Sequence, residues 1–145
     1  MIKGTKEDSK ISGQADLVET PEGLEISVSL ENVPPGKHGF HIHEKGSCAE
    51  DGNAAGSHYN PEETPHGNLF KDGFKHAHAG DFGNLEAGQD GTIRVKITVE
   101  GLALSGGRHN VVNRAFILHE NEDTYAQPTG NAGGRIACGV IEIIQ

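Results

Sequence analysis

LEISVSLE, residues 24–31, puts Leu24, Ile26, Val28 and Leu30 on one side of an extended chain and Glu25, Ser27, Ser29 and Glu31 on the other. Strand side chains alternate with a period of two, so this segment is predicted to be a strand with one face in a core and one in solvent. TIRVKITVE, residues 92–100, repeats the pattern with Ile93, Val95, Ile97 and Val99 opposite Arg94, Lys96, Thr98 and Glu100. A weaker version surrounds Ile11, Ala15 and Leu17. Pro21-Glu22-Gly23, Pro34-Pro35-Gly36 and Gln89-Asp90-Gly91 supply turn chemistry between such runs. Further strands are expected at FHIH, VVNRAFILH (111–119) and RIACGVIEII (135–144), with a short one inside GDFGNLEA. The total is about eight short strands, which predicts an all-β sandwich or barrel.

Length and composition agree. A chain of 145 residues is expected to form one domain, residues 1–145. It has 21 Gly and 6 Pro but no Trp, so core mass must come from Val, Ile and Leu on alternating strands. The net charge of -9, without a cluster of Lys or Arg, argues against nucleic acid and anionic membranes as partners. No apolar stretch approaches the roughly 18 residues of a membrane span, and the polar start MIKGTKEDSK has no signal-peptide core. Cys48 and Cys138 are too far apart for a CxxC redox or zinc pair; they are either two buried thiols or one bridge.

Two stretches depart from the strand pattern: Glu44 to Gly80, and Glu120 to Gly134. Loops of this length are commonly functional. They adjoin an unusual set of histidines. In FHIH, His41 and His43 point to the side opposite Phe40 and Ile42, so two imidazoles can approach one metal. His58 (GSHYNP), His66 (PHG), His78 with Asp81 (HAGD) and His119 (FILHE) follow. Imidazole suits zinc and copper, and a carboxylate among histidines is compatible with tetrahedral zinc. The set divides into His58, His66, His78 and Asp81 on the loop and His41, His43 and His119 on strands. His76 competes with His78 for the same role, while His38 and His109 read as surface or structural residues.

Taken in order, GFHIHE, GSHYNP, HAGDFGN, LHENED and TGNAGGRIACGVI resemble the copper/zinc superoxide dismutase family. The resemblance implies an eight-stranded antiparallel Greek-key β-barrel with two long functional loops. It implies one copper per chain on His41, His43, His58 and His119, and one zinc on His58, His66, His78 and Asp81, with His58 shared as a bridging imidazolate. Arg135 matches the arginine that holds the anion beside copper, and Asp123 matches an aspartate linking ligands of the two metals. Cys48 and Cys138 match an intrachain disulfide. The activity implied is dismutation of superoxide to oxygen and hydrogen peroxide, with Arg135 and His58 acting on substrate and proton.

The short spacing from His43 to Cys48 is similar to bacterial members, which leaves a homodimer possible and points to a periplasmic or extracellular location. Family members commonly carry lysine on the second long loop; here that loop has Glu120, Glu122 and Asp123 instead, so Lys45, Lys71 and Lys75 are expected to guide the substrate. Two other readings compete: a copper-carrier domain of the same fold, and an immunoglobulin-like module. The carriers usually add a CxxC motif and lack part of the copper set, and the module leaves the ligand-type residues unexplained.

Overall fold

The computed structural model describes residues 1–104 and 109–143. Eight strands form one sheet: β1 (Ile2–Gly4), β2 (Ser12–Thr20), β3 (Gly23–Glu31), β4 (Gly36–His43), β5 (Asp81–Ala87), β6 (Ile93–Val99), β7 (Ala115–His119) and β8 (Arg135–Val140). Their order is β5-β4-β7-β8-β1-β2-β3-β6, with antiparallel pairing throughout. The outermost strands, β5 and β6, touch each other, so the sheet curls into a nearly closed barrel. The links β3 to β4 and β6 to β7 each cross that seam and skip intervening strands, which gives the Greek-key topology.

Alternation in β3 decides where the core sits. Leu24, Ile26, Val28 and Leu30 are all buried inside the barrel. They meet Phe40 and Ile42 of β4, Phe82 and Leu85 of β5, Ile93 and Val99 of β6, and Phe116 and Leu118 of β7. Phe40 stacks on Phe116 with ring centroids 5.1 Å apart. Burying each such side chain is worth about 1.5–3 kcal/mol, so β4 is anchored firmly by the face opposite His41 and His43.

Several strand limits differ from the sequence-based expectation. The segment 111–119 enters the sheet only at Ala115, because Asn113 adopts a left-handed φ of 64° and turns the chain. Val111 is nevertheless buried, its N–H held by the Ala103 carbonyl. β8 stops at Val140; Ile141 instead exchanges hydrogen bonds with Asn113 and Arg114, and residue 144 lies outside the described residues. β1 is too short for its period to be read, since Ile2 is its one buried side chain. The two long loops fall where expected, and the first contains a 3-10 turn (Asn53–Ala55) and one turn of α-helix, α1 (Leu69–Asp72).

Cys48 and Cys138 form a disulfide across a sequence separation of 90. Cys138 lies in β8 between Lys3 of β1 and Ile117 of β7, so the bond ties the first long loop to the interior of the sheet. A small cluster of Ala55, Ala115, Ile117 and Cys138 packs beneath it. Cross-linking a loop of this size restricts the unfolded chain by at most about 4–5 kcal/mol. Replacing both cysteines by serine is therefore expected to lower unfolding free energy by a few kcal/mol, measured by urea titration. An unchanged midpoint would contradict that account.

Candidate metal centre

β4 and β7 are neighbours, with His41 opposite Ile117 and His43 opposite Ala115. Alternation turns both β4 histidines to the outer side of the barrel wall, yet they are 0% and 1% exposed because the long loops fold over them. His119 arrives from the end of β7, and His58 enters by a bridge to His43. One nitrogen from each of His41, His43, His58 and His119 falls within 4.8 Å of the others. The strand residues and the loop histidine thus converge.

Hydrogen bonds fix the chemistry of each ring. His43 donates from Nδ1 to the Gly56 carbonyl at 2.8 Å, and His119 from Nδ1 to the Gly133 carbonyl at 3.1 Å. His41 donates from Nε2 to Asp123 Oδ2 at 2.8 Å, and His66 from Nε2 to Asp123 at 2.9 Å. The remaining nitrogens of three rings, His41 Nδ1, His43 Nε2 and His119 Nε2, are buried without a hydrogen-bond partner. An unsatisfied buried polar atom costs about 1–3 kcal/mol, and here each one is a lone pair aimed at its neighbours. A cation is the partner this arrangement fits.

Beside them lies a second cluster. His58 Nδ1 is 3.0 Å from Asp81 Oδ1 and 3.1 Å from His78 Nδ1; His78 Nδ1 is 3.2 Å from Asp81 Oδ1, and His66 Nδ1 is 2.9 Å from Asp81 Oδ2. Ligands about 2.0–2.1 Å from a tetrahedral zinc stand about 3.3 Å apart, close to these separations. His41 also comes within 4.8 Å of His58, His66 and Asp81. Its Nε2 is already held by Asp123, and its one free nitrogen belongs with those of His43 and His119. His78 completes the second cluster. His76 is exposed and takes no part.

Burial first of all pushes His43 down to about 2, His119 to about 3 and His58 to about 4, so these rings are neutral and ready to ligate. Burial also opposes the charge on His66, but hydrogen bonds to Asp123 and Asp81 outweigh it and raise His66 to about 9. Desolvation works against ionised Asp81 and Asp123 as well, and their histidine partners hold both below the usual carboxylate range.

A cavity of about 440 Å³ opens onto the first cluster, with His43, His58, His119 and Arg135 among its walls. Arg135 donates from Nη1 to the Gly52 carbonyl at 2.8 Å and from Nη2 to the Gly56 carbonyl at 2.7 Å. Lys45, Lys71 and Lys75 are exposed and line no part of this cavity. His38 is buried, contacting the carbonyls of His119 and Pro34, and His109 pairs with Glu62.

Supporting residues went unread in the sequence. Asn84 of β5 brackets Asp123 by accepting from its N–H at 2.7 Å and donating to its carbonyl at 3.1 Å. Gln127 bonds the backbone of His66 in both directions. Gly130, at φ 86°, leaves no room for a Cβ beside Asp123. A single amide or glycine carries no spacing signal by which to find it.

Two outcomes follow from this geometry. Asp123→Asn is expected to weaken metal binding about 10–100-fold, measured by chelator competition, and unaltered affinity would refute the linking role. In the metal-free chain, the depressed histidines contribute stability above their ordinary value of 6.5 that is lost as pH falls toward 4, because the unfolded chain then binds protons the folded chain excludes. Raised His66 contributes oppositely, losing its stabilisation as pH rises through about 9. Urea midpoints that do not fall between pH 7 and pH 4 would contradict the first of these signs.

The family model described as copper/zinc superoxide dismutase (SODC) matches residues 11–141. The chain is 40% identical to an extracellular superoxide dismutase [Cu-Zn] of Drosophila melanogaster, over 94% of this chain and 78% of that protein. It is 39% identical to a protein of the same description from Haemonchus contortus, over 94% and 76%. Among solved structures, the clock protein EA4 superposes with a TM-score of 0.86 at 34% identity, covering 99% of this chain and 93% of that one. A SOD-like protein from Bacillus subtilis gives 0.84 at 37%, covering 97% and 96%. With converging histidines, barrel topology and matched sequence in agreement, the chain belongs to the copper/zinc superoxide dismutase family.

Proposed function

We propose that this chain, acting as one domain, dismutates superoxide. The observation that carries the reading is the set of unpartnered lone pairs on His41 Nδ1, His43 Nε2 and His119 Nε2 beside a solvent-open cavity walled by Arg135. His41, His43, His58 and His119 would hold copper, which would supply the one-electron chemistry that no side chain offers for turning two superoxide ions and two protons into oxygen and hydrogen peroxide. Zinc is assigned to His58, His66, His78 and Asp81, which lie off that cavity apart from the shared ring.

The chain's own groups divide the remaining work. Arg135 spends two of its five N–H donors on Gly52 and Gly56, which fixes the guanidinium while leaving donors for an anion. His58 presents Nδ1 to Asp81 and His78 and keeps Nε2 for the other cluster. With Nδ1 held by zinc, a proton taken up at Nε2 would give a neutral imidazole that faces the cavity and can return it there. The disulfide and the extracellular designation of both curated relatives support an extracellular location over a reducing one.

The test is to load the protein with copper and zinc, measure both by mass spectrometry, and follow superoxide consumption on the same sample. Expected are a copper and a zinc per chain with rapid turnover that slows as ionic strength rises. Full loading without consumption would favour the copper carrier. Arg135→Ala is expected to retain both metals and to lower the second-order rate about tenfold or more; an unchanged rate would remove Arg135 from the mechanism.

A further inference from the structure

Arg135 stands at an irregularity in the sheet. Leu118 of β7 pairs with Ala137 of β8, but His119 pairs with Arg135, so Ile136 is an extra residue on the β8 side. Such a bulge bends the strand and re-aims the side chain beside it. On the other edge of β8, the ladder with β1 pairs Lys3 with Cys138 and Gly4 with Ala137, where β1 ends. The carbonyls of Arg135 and Ile136 therefore lie beyond the regular β1 ladder.

Thr5 satisfies both. Its N–H donates to the Ile136 carbonyl at 3.0 Å, and its hydroxyl donates to the Arg135 carbonyl at 2.6 Å. The same side chain covers the loop that receives the guanidinium: a Cβ on Gly52 would stand 3.1 Å from Thr5 Cγ2 and 3.6 Å from Arg135 Cβ. Gly52 is the residue whose carbonyl accepts from Arg135 Nη1. Thr5 thus grips Arg135 at its main chain and places its methyl group on the side of Gly52 where a Cβ would project. Next to it, Lys6 pairs with Asp51 at 2.9 Å, but both are largely exposed, and a surface pair of this kind adds little.

We propose that Thr5 is a positioning residue for Arg135, its hydroxyl completing the strand edge at the bulge so that the guanidinium is aimed into the metal cavity. This rests on the reading of Arg135 as the group that binds anions beside copper. Threonine serves because it combines a donor with a methyl group that packs on Gly52. Valine keeps the shape and removes the donor, which leaves the Arg135 carbonyl without its partner.

The experiment uses copper- and zinc-loaded protein and azide, a small anion that ligates Cu(II), with its affinity read from the visible charge-transfer band and the electron paramagnetic resonance signal. Thr5→Val is expected to weaken azide binding by up to about tenfold, the size of one lost hydrogen bond. Thr5→Ser should restore affinity to within about twofold, since it returns the donor. Arg135→Ala should bind azide no better than Thr5→Val. Thermal melts run in parallel separate positioning from scaffolding, because a merely structural Thr5 would lower the melting temperature and leave azide affinity of the folded protein unchanged. If Arg135→Ala weakens azide and Thr5→Val does not, the inference about Thr5 is overturned. If Arg135→Ala itself leaves azide binding unaltered, the anion-binding reading of Arg135 falls and the role of Thr5 falls with it.

Discussion

A single buried carboxylate joins the parts of this molecule that would otherwise be independent. Asp123 is fully enclosed, a situation that costs several kcal/mol for an unpaired ion. It is tolerated because His41 and His66 both donate to it, along with the N–H of Tyr125. Each donation consumes Nε2 and so turns Nδ1 the other way, into the strand-borne cluster for His41 and toward Asp81 in the loop-borne cluster for His66. β4, the first long loop and the second long loop therefore meet at one side chain. Gly130 is required beside it for space, and Asn84 holds its backbone from β5.

The two clusters stand on different foundations. His41 and His43 are anchored by Phe40 and Ile42, which occupy the core from the same strand, and His119 extends the neighbouring strand β7. Barrel packing places these histidines, and loop groups orient their rings. His58, His66 and His78 are carried on a loop with two short helical turns and few apolar anchors, Tyr59 and Leu69 among them. That loop is held by the disulfide at one end and by β5 at the other, with polar groups converging between. A bound cation there substitutes for missing hydrophobic packing, so metal binding in this half of the site is also folding energy.

Much of this was legible in the residues alone. The period of two in 24–31 and 93–99 located β3 and β6, and the histidines opposite Phe40 and Ile42 located the side of β4 that the long loops cover. Loop limits at Glu44 and Glu120 were readable because alternation stops there. What escaped was set by tertiary context. Nothing in VVNR announces that Asn113 takes a left-handed conformation and delays β7, and three residues of β1 are too few to show a period. Asn84, Gln127 and Thr5 act through hydrogen bonds to residues 39, 61 and 130 positions away, a separation at which local pattern carries no information.

A protein of net charge -9 that receives an anion calls for arrangement rather than sum. Exposed charges are screened over about 8 Å at physiological ionic strength, whereas charges in a low-dielectric wall act at nearly full strength over short distances. Among the residues lining the metal cavity, Arg135 is the one with a permanent charge. Asp8, Asp51 and Glu120 line an adjoining groove with Lys6, and Glu120 turns an oxygen onto the Gly134 N–H. Those exposed carboxylates lie outside the cavity lining, while Asp81 and Asp123 within the site are bonded to the histidines they orient. The field an anion meets at the cavity floor is set by one arginine and by whatever cations the imidazoles hold, so the sign of the whole chain has little bearing on what enters.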